Sequence, residues 1–163
     1  MKKFTQLPAL FTAAILLCLY APAGAQPITT SMQVPLFGTV DVPLTNGSFD
    51  SVDLSGVVHV VTHGATPTDP MRIHVNLDQV TGVGDLTGFR YIATGADQQD
   101  FPGTPGDPML VSFDLRPLGA PPDPVLPGDP MRLDISFIFT FGIDSGVLLD
   151  VDIESMTVTV LFP

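Results

Sequence analysis

Asp150, Asp152 and Glu154 alternate with Val151 and Ile153 near the end of the sequence. On a strand this spacing turns three carboxylates to one face. Like charges in a row repel one another, and a hard cation with oxygen ligands relieves the repulsion, so the three residues form a candidate Ca²⁺ site. The plainer account is a solvated acidic face. Asp50/Asp53, Asp97/Asp100 and Asp144 are further acidic positions beside expected turns. None has the Asp-rich, Gly-centred spacing of an EF-hand loop.

The histidines offer less. His59 and His63 are four residues apart, which on a strand is about 13 Å, too far to share one metal. His74 falls on the next expected strand and can approach only one of them. A hydrolytic triad needs a His beside a Ser and a carboxylate, and no Gly-x-Ser-x-Gly elbow occurs. A glycosidase needs two carboxylates at controlled separation. Sugar sites lean on aromatic platforms, yet the sequence has no Trp, and Tyr91 is the single Tyr beyond residue 25. Gly82-Val83-Gly84 and Gly88 are followed by an expected strand rather than a helix. They lack the context of a nucleotide fingerprint and read as turn glycines. With no catalytic constellation in view, a non-catalytic protein is expected.

These residues must be positioned by strands. Asp53-Leu54-Ser55-Gly56 is echoed by Asp85-Leu86-Thr87-Gly88, and Thr66–Met71 by Thr104–Met109. Each Met opens an alternating run, and Pro127–Met131 introduces a third. Alternation is the period of a strand with one buried face. The inward set is Ile73/Val75/Leu77, Val111/Phe113/Leu115 and Leu133/Ile135/Phe137. Asp-Pro before each run suits a strand start, because Pro pushes its predecessor to extended geometry.

Eight strands are expected, at Gln33–Leu44, Leu54–His63, Met71–Val80, Gly88–Thr94, Met109–Arg116, Leu133–Ile143, Val147–Asp152 and Met156–Phe162. Gln26–Met32 reads as a loose leader. Asn46-Gly47 signals a tight turn, and Asn46-Gly47-Ser48 is also a formal glycosylation sequon. No window carries a capped 3.6-residue stripe, so almost no helix is expected. The fold class is all-β: an antiparallel β-sandwich of about eight strands built on a duplicated hairpin unit, or alternatively a closed β-barrel.

Lys2 and Lys3, the apolar run Leu7–Tyr20 and Ala23-Gly24-Ala25 have the order of a signal peptide. Residues 1–25 are therefore expected to be removed, with Cys18, leaving 26–163 as one domain that is secreted or periplasmic. That remainder holds four Arg and no Lys against seventeen acidic residues. So acidic a chain repels nucleic acid and anionic membrane surfaces. No Cys remains to staple the fold, so stability must come from the core or a bound ion.

Between Phe101 and Met131 lie nine of the seventeen prolines. A run so rich in Pro is extended and semi-rigid. Pro121, Pro122, Asp123 and Pro124 form the candidate contact loop there, weighed against a plain crossover. The expectation is an exported, non-catalytic β protein that binds or packs against a protein or surface partner through loops or a sheet edge, self-association included. A Ca²⁺-dependent binding module is the alternative, and a secreted hydrolase using His59, His63 or His74 a distant third.

Overall fold

The computed structural model describes residues 27–64, 71–101, 107–119, 130–143 and 145–161. Eight strands occur there: β1 Ile28–Pro43, β2 Phe49–Gly64, β3 Arg72–Gly84, β4 Arg90–Thr94, β5 Ala96–Asp100, β6 Met109–Pro117, β7 Met131–Phe141 and β8 Leu148–Val160. No helix is present among the described residues. All strands belong to one antiparallel sheet in the order β1-β2-β3-β4-β6-β7-β8, with β5 added to β3. The sheet curls until β8 approaches β1, where Leu148 N lies 3.4 Å from Thr30 Oγ1. The all-β, antiparallel, eight-strand fold is as the sequence led us to expect. Of the two arrangements, the barrel is the one this nearly closed single sheet matches.

Alternation builds the interior. All nine residues of the inward set are buried. Leu36, Val42, Val52, Val58, Val60 and Phe139 join them in one cluster that fills the barrel. Phe101, Phe139 and Phe141 pack edge to face near one end, with ring centroids 5.2 and 6.3 Å apart around Phe101. Such edge-on contacts suit the ring quadrupole.

Several expected boundaries move. β1 begins at Ile28, so Ile28–Met32 is strand rather than loose leader; these residues pair with Gly64–Val60 of β2. The inward phase there is Ile28, Thr30 and Met32, and a Thr in the apolar phase weakened the alternation. Gly82 and Gly84 lie inside β3, not in a turn. A Cβ at Gly82 would stand 2.6 Å from Asp53 O, so glycine is what lets β2 and β3 approach there. Gly88 does turn the chain, with φ +69°. β5 was not foreseen, and the two last expected strands are one, β8.

β-Bulges account for that last difference. Ser136 pairs with Ser155 and Phe137 with Ile153, leaving Glu154 extra; Thr140 pairs with Asp150 and Phe141 with Leu148, leaving Leu149 extra. Each extra residue resets the phase without ending the strand. A third bulge sets Gln79 and Val80 of β3 against Gly56 of β2. Gln79 has φ +54°, and a Cβ on Gly56 would lie 2.6 Å from Val80 Cα.

The two stretches of similar sequence fall in antiparallel pairs, β2 with β3 and β4 with β6. Their openings are not equivalent. Asp53-Leu54 lies within β2, whereas Asp85-Leu86-Thr87 makes the turn before β4.

Candidate functional site

Six antiparallel steps lead from β1 to β8, so these two strands run in the same direction. They face one another without backbone pairing. Side chains bridge the seam. Thr30 Oγ1 accepts from Leu148 N and is hydrogen-bonded to Thr62. Met156 lies so close beneath Gly38 that a Cβ there would collide with its methyl group. Thr30/Leu148 and Gly38/Met156 share one offset, as parallel neighbours must. The inward apolar residues beside the seam, Met32 and Val34 on β1 and Ile153, Met156, Val158 and Val160 on β8, are only partly buried. Pro35 and Pro43 have no N–H to offer along β1, the kind of device that guards a free edge.

The hairpin that carries β1 is well made. Leu44 N donates to Ser48 O at 2.8 Å and Gly47, at φ +83°, donates to Leu44 O at 3.0 Å. Asn46 Oδ1 accepts from Ser48 N and Oγ at 2.9 and 2.7 Å, so the sequon's side chain is engaged in its own turn.

A polar groove lies on the outer face of β2, β3 and β4. It encloses about 340 Å³ and is lined by Asp53, Ser55, Thr81, Gly82, Val83, Asp85 and Arg90. Register explains the grouping: Val83 stands between Asp53 on β2 and Arg90 on β4. Ser55 pairs with Phe37 of β1, whose ring is 73% exposed at the margin. Val83 itself is 50% exposed. Asp53 Oδ1 accepts from Thr39 Oγ1 at 2.6 Å.

Behind this groove sits a carboxylate with no exposed surface. Asp50 shares the inward phase of Val52 and Leu54 and is 0% exposed. Its Oδ1 accepts from Leu86 N at 2.9 Å and Thr87 N at 3.3 Å. Its Oδ2 accepts from Thr87 Oγ1 and, at 3.2 Å, from Tyr91 OH. Burial pushes the Tyr91 hydroxyl up to about 12; the Asp50 charge and hydrogen bond add to this, and Thr87 opposes it. These contacts clamp the β3–β4 turn onto the start of β2. Asp50 stands beside the Asn46-Gly47 turn as expected, and its phase with Val52 and Leu54 is the signal in the sequence that it points inward.

A second carboxylate, Asp134, is nearly buried on the outer face of β7. It accepts from Ser112 Oγ at 2.6 Å and Thr159 Oγ1 at 3.3 Å. Arg132 Nε lies 2.9 Å away, close enough for an ion pair but without hydrogen-bond alignment.

Asp150, Asp152 and Glu154 are all exposed on β8. Asp150 Oδ1 accepts from Val151 N at 2.9 Å, and Glu154 Oε2 accepts from Ser136 Oγ at 3.0 Å at the bulge. A strand row of this kind spans about 13 Å between its outer members. Among the described residues no group of three or more His, Cys, Asp or Glu is arranged to hold a metal ion.

His59 Nε2 is hydrogen-bonded to Ser31 Oγ at 2.7 Å and His63 Nδ1 to Thr29 Oγ1 at 3.1 Å. His74 sits opposite Val61 and Gln98 on the outer face of β3. The rings of His59 and His63 thus each meet a hydroxyl of β1, and neither is hydrogen-bonded to a carboxylate among the described residues. Pro121, Pro122, Asp123 and Pro124, Asp144 and the segment 1–25 lie outside the described residues. No described helix is long and apolar enough to cross a membrane, a statement that does not bear on β-barrels. No family model, curated protein or solved structure matches the chain.

Proposed function

We propose that the protein is an exported, non-catalytic β-barrel protein that binds or packs against a protein partner through the sheet edges at the β1/β8 seam. The observation that carries this reading is the seam itself: strands of 16 and 13 residues lie side by side with no backbone pairing. Unpaired strand edges are templates for an added strand, in which main-chain bonds supply affinity and alternate side chains supply specificity. The half-buried Met32, Val34, Ile153 and Val158 offer apolar area beside those edges. Export rests on the order of residues in the segment 1–25.

A cysteine pair tests the reading. Thr30→Cys with Leu148→Cys ties the seam, and no other Cys lies beyond Cys18 to compete. In the exported fraction of expressing cells, the unmodified protein should run within an assembly heavier than a single chain of residues 26–163. The oxidised pair should run as the monomer. A chain that is monomeric both with and without the tie overturns the reading.

A further inference from the structure

We propose that the groove on the outer face of β2, β3 and β4 docks a lysine-bearing extended segment of another protein. The proposal rests on the partner-binding reading and adds the partner's chemistry and a second place of contact. Two carboxylates face this groove. Asp53 and Asp85 lie two places apart in register, since Asp53 pairs with Val83 and Asp85 follows Gly84. The ladder continues one step past β3, where Asp85 N donates to Ser51 O at 2.8 Å, so the two residues keep the diagonal spacing of about 7–8 Å, within reach of one long side chain. Thr39 occupies Asp53 Oδ1. The hydroxyls of Ser55 and Thr81 line the same wall.

Nothing in the described chain can satisfy these carboxylates with an ammonium. The only lysines are Lys2 and Lys3, and the described ion pairs use Arg72 and Arg132 elsewhere. With seventeen acidic residues to six basic ones, the surface attracts cations and repels acidic segments. Lysine fits better than a free metal ion because the groove also has an apolar strip. Val83 forms the floor and Phe37 the margin, both exposed. A lysine lays its methylene stem along such surface while its head reaches the carboxylates. Arg90 closes the far side, across Val83 from Asp53, and makes no side-chain ion pair among the described residues. It is placed to hold a carbonyl or carboxylate of the docked segment and so to fix its direction.

The probe is the peptide acetyl-Lys-Val-Lys-Val-Lys-amide, titrated into the full folded domain at physiological salt and followed by backbone amide shifts. Shifts should concentrate at Asp53–Ser55, Thr81–Asp85 and Arg90. The Asp53→Asn/Asp85→Asn pair keeps an acceptor for Thr39 and should weaken binding at least about tenfold. The distant Asp150→Asn/Asp152→Asn pair removes the same charge and should change binding less than about twofold. The norleucine analogue of the peptide should not bind. Equal weakening by the two pairs reduces the effect to general charge attraction and overturns the proposal, as do shifts that miss the groove. Tying the seam should leave peptide binding unchanged. Failure here with the assembly intact removes the lysine chemistry alone; loss of the assembly as well removes the partner reading.

Discussion

Taking a carboxylate wholly out of water costs several kcal/mol, and at Asp50 that cost is offset by donors from Leu86, Thr87 and Tyr91. Asp50→Ala leaves those donors unmet and should lower stability by about 3 kcal/mol or more, read as a shift in the urea midpoint. Asp50→Asn keeps one acceptor oxygen and should fall between. The same cluster fixes an alkaline limit. The Tyr91 hydroxyl titrates at about 12 in the fold against 10.0 ordinarily. Between those values the unfolded chain has released its proton and the folded one has not. The unfolded state then binds fewer protons, so stability falls as pH rises through this window. Tyr91→Phe should abolish that slope, and an unchanged slope would assign it elsewhere. No motif announces such a cluster. Asp50 lies 37 residues from Thr87 and 41 from Tyr91, and only its phase beside Val52 and Leu54 marked it as inward.

Strands were legible where inward residues were uniformly apolar. The runs after Met71, Met109 and Met131 read correctly because Ile, Val, Leu and Phe hold one phase throughout. Reading failed where a bulge reset the phase, as at Leu149 and Glu154 of β8, or where glycine served close approach inside a strand, as at Gly82. The bulge at Gln79 has an energetic mark of its own. A side chain beyond Cβ at φ +54° is strained, by roughly 1–2 kcal/mol, whereas glycine adopts this conformation freely. After glycine's own entropy cost, Gln79→Gly should stabilise the fold by about 0.5–1 kcal/mol, measured by thermal melting. A loss of stability would mean that the exposed Gln79 side chain contributes more than its backbone costs.

For the whole molecule, the decisive fact is how the sheet nearly meets itself. Backbone pairing runs unbroken from β1 round to β8 and stops there. Edge amides of β1 and β8 that face the seam should therefore exchange with solvent at least about a hundredfold faster than the shared amides of β2–β3 and β6–β7. Exchange measured by nuclear magnetic resonance that is uniform across these strands would show a seam sealed by more than side chains. The sequence carried the class of the strands but not β5, the continuity of β8 or the closure of the sheet. Whether a sheet folds into two layers or curls on itself depends on accumulated twist and bulges, which no single residue encodes. Because β1 and β8 run in parallel, Ile28 lies at one end of the barrel and Val160 at the other. Tension applied between those two points draws β1 lengthwise along β2, and β8 lengthwise along β7. The perpendicular hydrogen bonds of each ladder are then loaded together rather than peeled one by one, which makes the barrel a mechanically resistant link in any tether pulled from its two ends.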